Sequence, residues 1–304
     1  MQRLLGKLGV AFVLVSTVML FLPSAVGADS IGLITFESSQ GYIPGDINGQ
    51  PAAAFNLPNG KWSKLGAYDV EVALVSVFLA AVGYGFGSQA LRISDAVTSG
   101  SFGDQTFSPG LGDEAGESGA DNAGLSGGLR QPHFDASFLI GTTQSTQQCA
   151  SCATPLKMSV SPDRGDGGRM SYLRFEDQTD GVHVFFVDVV DKGPVGTVAN
   201  FRESDVATIS RDRSHLIQFS IDFKDGAAND TVKIYIDSKL VKTGSTWEDY
   251  YRYDPEQLGN CNQVPTVDKL LFRESGTPNP ANALTGGFLI DRVTLASSGL
   301  NIRK

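Results

Sequence analysis

Between His215 and Ile236 the chain alternates apolar and polar residues with a period of two. Ile217, Phe219, Ile221 and Phe223 share one side, and Leu216, Gln218, Ser220 and Asp222 share the other. A helix would scatter both sets around its circumference, whereas a half-buried strand keeps each on its own face. Asp225-Gly226-Ala-Ala-Asn229-Asp230 then supplies turn chemistry, and Val232, Ile234 and Ile236 resume the apolar face. The segment therefore reads as a β-hairpin with one face committed to a core.

The same pattern recurs along the chain. Strands are expected at Ile31–Phe36, Tyr68–Ala73, Phe134–Ile140, Met170–Phe175, Val182–Val189, Leu270–Phe272 and Gly287–Leu295. The apolar stretch from Val70 to Phe86 is interrupted by Glu71, Ser76, Gly83 and Gly85. It suits a buried strand followed by a Gly-rich turn better than a bilayer span of roughly 20 apolar residues. Many short strands with polar turns point to an all-β, two-sheet antiparallel sandwich. The segment 108–128, rich in Gly, Ser and acids, is expected as a long mobile loop, and 275–287 as a Pro/Gly connector. No repeat or second core is visible.

The N-terminus reads as a secretory signal peptide. Arg3 and Lys7 precede an apolar run from Leu8 to Leu22, and Ser24 to Ala28 are small or apolar exit residues. The expected boundaries are 1–28 for the signal and 29–304 for a single domain, with a secreted product and no membrane insertion after cleavage; periplasm and cell surface are the other destinations open to it. Without Arg3 and Lys7, 22 basic residues face 33 acidic ones. That balance repels phosphate backbones, so nucleic acid is excluded as a partner. Export also permits disulfides. Cys149, Cys152 and Cys261 are candidates, and the pairing stays open between Cys149–Cys152 and either of them with Cys261. Redox chemistry would want a βαβ context, and zinc would want more ligands than three histidines offer.

Several phrases together resemble the concanavalin A-like (LamG/glucanase) jelly-roll superfamily, in a bacterial secreted form. They are Gly45-Asp-Ile-Asn-Gly-Gln50 with Trp62 and Tyr68-Asp69; Gly85 to Ser94 running on to Gly103-Asp-Gln-Thr-Phe107; Phe219 to Phe223 followed by Asn229 to Asp237 and Leu240 to Gly244; and Phe288-Leu-Ile-Asp-Arg-Val293. The resemblance implies a jelly-roll sandwich. It leaves function open, because that superfamily holds lectins, adhesion modules, glycosidases and polysaccharide lyases. It also implies a structural calcium site, since such modules carry Phe-Glu on the first strand and Ile-Asp on the last. Glu37 and Asp291 are the matching residues, with Asp46 as a further ligand.

Catalytic patterns are weak. The Glu-x-Asp-x-x-Glu run of sandwich glucanases is missing, and Glu248-Asp249 are adjacent, so on a strand they would face opposite sides. Gln131-Pro-His133 and Ser171-Tyr-Leu-Arg174 loosely resemble the Gln-x-His and Arg of lyases, in which a His or Tyr base works beside groups that neutralise a uronate. Arg164-Gly-Asp166 reads first as a turn.

The strongest binding candidate is Trp247-Glu-Asp-Tyr250-Tyr251-Arg252-Tyr253. Sugar rings stack C–H faces on aromatic rings, while their hydroxyls take carboxylate and guanidinium partners. Trp247, Glu248, Tyr250, Tyr251 and Arg252 are therefore the expected ligand contacts, and an extracellular or cell-surface polysaccharide the expected partner. A non-catalytic lectin-like module leads over a lyase or hydrolase and over a structural or adhesive surface protein.

Overall fold

The computed structural model describes residues 29–298 except 52–59, 79, 99–103, 122–125, 149, 151, 153, 191–192, 258–262, 275–277 and 283–284. The expected signal peptide thus lies outside the described residues. In chain order the strands are β1 (Asp29–Ser30), β2 (Gly45–Asp46), β3 (Ser63–Leu65), β4 (Asp69–Leu74), β5 (Gln89–Ser94), β6 (Gln105–Phe107), β7 (His133–Thr142), β8 (Lys157–Asp163), β9 (Leu173–Gln178), β10 (Gly181–Val189), β11 (Phe201–Ile209), β12 (His215–Asp222), β13 (Thr231–Ile236), β14 (Lys239–Gly244), β15 (Lys269–Glu274) and β16 (Phe288–Ser298). One short helix, α1 (Glu248–Tyr253), interrupts them.

The strands form two antiparallel sheets, the sandwich expected from the alternation and, as a jelly roll, from the resemblance. One runs β14-β13-β12-β7-β16-β5-β4-β2, with β1 also on β16, and the other runs β11-β10-β9-β8-β15-β6-β3. The hairpin is where the pattern placed it: Ile217 faces Ile236, Phe219 faces Ile234 and Ile221 faces Val232. These residues meet the inner face of the seven-stranded sheet in a single core. Phe138 on β7 contacts Phe175 on β9 at 6.2 Å and Phe272 on β15 at 5.8 Å, edge-on in both cases.

Two expectations are corrected. Ile31–Phe36 is not a strand: Gly32 and Phe36 adopt positive φ of 76° and 57°. That breaks the extended run, so the segment follows β16 only through the Ile34–Val293 bridge and the Ile31 N–H bond to the Leu295 carbonyl at 3.2 Å. The acid-rich segment, expected as a mobile loop, is packed through residue 121. Ala115 and Val267 exchange backbone hydrogen bonds at 2.8 Å, and Leu111, Glu114, Ala115 and Glu117 are all buried. Its polar composition hid a covering strap whose carboxylates find partners inside. Cys152 is disulfide-bonded, while Cys149 and Cys261 lie outside the described residues.

Edge strand β11 carries Arg202, Glu203, Ser204 and Asp205 in succession, which discourages pairing with another chain. No helix among the described residues is long and apolar enough to cross a membrane. Phe138→Ala removes the ring that touches both partners from the opposite sheet. The expected loss is about 3–5 kcal/mol of unfolding free energy, read from the denaturant midpoint at unchanged slope.

Candidate functional site

The seven-residue aromatic motif folds as α1 and the residue that caps it. Helical spacing therefore divides it. Positions 247, 250 and 251 lie on one side of the turn, and 248 and 252, four apart, lie on the other. Trp247, Tyr250 and Tyr251 line a cleft of about 570 Å³ beside the outer surface of the seven-stranded sheet. Glu248 and Arg252 turn away from it.

The cleft has an aromatic wall. Tyr172 stacks on Trp247 with ring centres 5.9 Å apart, and Phe201 meets Trp247 edge-on at 4.9 Å and Tyr250 at 5.2 Å. Hydrogen bonds fix the rings: Trp247 Nε1–H donates to the Val187 carbonyl at 2.9 Å and the Tyr251 hydroxyl to the Arg169 carbonyl at 3.0 Å. The Tyr250 hydroxyl donates to Glu256 at 3.0 Å. Burial, with Glu256 adding to it, pushes the Tyr250 phenol up to about 12.

Three guanidiniums also line the cleft, from Arg164, Arg169 and Arg273. Strand geometry places Arg273. It alternates with the inward Leu270 and Phe272, and its register partners are Gln105 on β6 and Ser159 on β8. Burial lowers the Arg273 pKa, and the nearby Arg169 lowers it further. Arg164 and Arg169 flank the loop after β8. Asp163 Oδ1 accepts the Gly165 and Gly167 amides at 2.5 and 3.1 Å, and both glycines have φ near +97°, a conformation that other residues enter at a cost. Arg164 pairs with Asp166 at 2.8 Å and Asp121 at 3.0 Å. The Arg-Gly-Asp phrase is thus the tight turn its glycines suggested.

On the far side of α1, Glu117, Asp230 and Glu248 bring ligand oxygens within 4.8 Å of one another, all buried. Three carboxylates suggest a metal. Here, however, the Arg252 guanidinium sits among them, bonded to Glu117 through Nη2 and 3.6 Å from Glu248 through Nε. One cation faces three acids, and the shortfall falls on Asp230. Burial first, and Glu248 second, push its carboxyl up to about 8.

The other expected residues are dispersed. Glu37 and Asp291 do converge, on the backbone of residues 87–89. Glu37 Oε1 accepts the Ser88 and Gln89 amides at 2.6 and 3.2 Å, and Asp291 accepts the Gly87 and Arg292 amides at 3.1 and 2.7 Å. Four N–H donors turn their positive ends toward this pair, the opposite of a cage of oxygens, so the pair does not fit a calcium site and instead anchors a turn. Asp46 is held elsewhere, by Lys64 at 2.7 Å. His133 lies on the other sheet between Asp222 at 2.6 Å and Asp135 at 2.9 Å. Arg174 is on the outer face, over the Phe185 ring. None of the three histidines lines the cleft.

Gln105, Arg169, Tyr172, Phe201 and Arg273 were not nominated together from sequence. Arg273 could have been found from the alternation of β15. Arg169 lies in a Gly-rich turn and Phe201 on an edge strand, where residue type carries no signal.

No family model matches the chain, and no curated protein matches it. Among solved structures it is similar to the binding domain of botulinum neurotoxin serotype D, with a TM-score of 0.44 and 8% identity over 90% of this chain and 49% of that one. It is also similar to an alginate lyase from Chlorella virus, with a TM-score of 0.42 and 7% identity over 79% and 93%. For a sialidase the TM-score is 0.38, with 11% identity over 78% and 17%. The chain thus spans less than half the length of the sialidase and of the toxin domain. All three TM-scores lie below 0.5, and few residues are shared.

Asp230 gives a signed pH prediction. Its folded pKa is raised from 3.8 to about 8, so the native state holds a proton that the unfolded chain releases. Stability should fall as pH rises across that interval. Asp230→Asn should flatten the fall, leaving the variant more stable than wild type at pH 8 and close to it at pH 4, by denaturant titration at each pH.

Proposed function

We propose that the cleft beside α1 is a glycan-binding site and that the protein is a secreted, non-catalytic lectin-like module released by removal of residues 1–28. The observation that supports the reading is the pairing of an aromatic wall (Tyr172, Trp247, Phe201, Tyr250) with amide and guanidinium donors in one groove. A saccharide presents apolar C–H faces and a rim of hydroxyls, so it needs both kinds of surface at once. The wall is braced by its own hydrogen bonds, which lowers the ordering cost of binding.

A second reading is favoured by one feature. Tyr172 shares the cleft with Gln105 and the arginines, and a phenol beside donors that stabilise developing negative charge can serve as an acid or base. That reading makes the protein a glycan-cleaving enzyme.

Glycan-array and calorimetric binding on the purified chain tests both, with the same ligands assayed for new reducing or unsaturated ends. Trp247→Ala should weaken binding about 30-fold, the loss expected for a central aromatic contact worth about 2 kcal/mol. A thermal melt guards against misfolding, and Phe201→Ala, which trims the exposed rim, should weaken binding less. Product release abolished by Tyr172→Phe would move the protein to the enzyme class. Absence of both binding and product would sink the glycan reading.

A further inference from the structure

A buried guanidinium needs a counter-charge within bonding distance, or it costs several kcal/mol to keep folded. Arg169 is only 6% exposed, yet its side chain makes no hydrogen bond and no ion pair among the described residues. Asp163 is near enough to feel its charge but does not bond to it. Asp163 Oδ1 is occupied by the Gly165 and Gly167 amides, and Oδ2 has no hydrogen-bond partner. Arg164, the other arginine of this loop, is by contrast saturated by Asp121 and Asp166.

Arg169 also stands beside a second cation. Arg273 is close enough for Arg169 to disfavour its charge, and both line the cleft. Arg169, unbonded among the described residues, offers the planar pair of donors that fits a carboxylate edge, and Arg273 adds positive charge beside it. The rest of the molecule is strongly acidic, so attraction for an anion cannot come from the overall field and must be local.

We propose that the cleft reads an acidic sugar through its carboxylate, with Arg169 as the receptor, Arg273 adding positive charge beside it, and the Tyr172–Trp247 wall against the ring. The proposal rests on the glycan reading of this cleft and narrows it from saccharides in general to uronate-type ones.

The test compares hexamers of galacturonate, mannuronate and glucuronate with the same hexamers after reduction of every carboxylate to a hydroxymethyl group, and with a sulfated galactan hexamer. Binding is measured by calorimetry on the full chain as processed by its producing host. At least one acidic hexamer should bind about tenfold or more tightly than its reduced counterpart. Arg169→Lys keeps the charge but loses the planar fork, and should bring that ratio toward one. Trp247→Ala should weaken acidic and reduced forms alike. If Arg169→Lys does not fold, the wild-type ratio of acidic to reduced binding still decides.

Equal binding of acidic and reduced hexamers, with dependence on Trp247 retained, would overturn the carboxylate assignment while leaving the glycan site intact. Preference for the sulfated hexamer would overturn it in favour of a sulfate reader. Failure of every hexamer to bind would remove both readings.

Discussion

The edge-on packing of Phe138 against Phe175 and Phe272 couples the two sheets at the centre of the molecule. Each ring comes from a different strand, and the three together set how the sheets lie on each other. The outer surface of the seven-stranded sheet inherits its position from this contact. Phe272 points inward, so its neighbour Arg273 must point outward, because successive residues on a strand face opposite sides. Core packing thus places a charged group on the cleft side of the sheet.

Helix α1 shows a second constraint of this kind. A strand would have presented Trp247, Asp249 and Tyr251 on one side. The helical turn instead collects Trp247, Tyr250 and Tyr251 at the cleft and sends Glu248 and Arg252 to the carboxylate cluster. Glu248 Oε1 accepts the amides of Asn229 and Asp230, which ties the helix to the hairpin between β12 and β13. Arg252 reaches Glu117 on the strap at residues 108–121. The polar side of the motif therefore holds the helix down, leaving the aromatic side free to form a wall. One seven-residue phrase serves anchoring and surface presentation through its two faces.

Much of the architecture was legible because alternation is a local record of a sheet with one buried face. The β12–β13 hairpin, β10, β15 and β16 all declare themselves this way. Ile31–Phe36 misled because its apolar composition suits a strand while its backbone turns at Gly32 and Phe36. The acid-rich strap misled for the converse reason: Glu114 and Glu117 are buried, and composition cannot show that Arg130 and Arg252 will reach them. Of the cleft, the aromatic half was visible as a cluster in sequence. The cationic half was not, because Arg164, Arg169 and Arg273 come from a turn and a strand about a hundred residues apart, and only the β8–β15 pairing unites them.

That pairing also explains how an acidic protein can keep a cationic groove. β8 and β15 meet with Asp163 opposite Lys269 and Ser159 opposite Arg273. Toward the Asp163 end the charges are matched by Asp163, Asp268 and Lys269, and the carboxyls of Asp163 and Asp268 are pushed by burial up to about 6 and about 7. Burial thus disfavours the charged form of both carboxyls, and Asp163 feels the charge of Arg169 without bonding to it. Arg169 and Arg273 line the cleft, while the chain as a whole carries more acids than bases. Burial beneath the site thus weakens the counter-charge nearest Arg169, and this leaves its guanidinium available to an incoming anion.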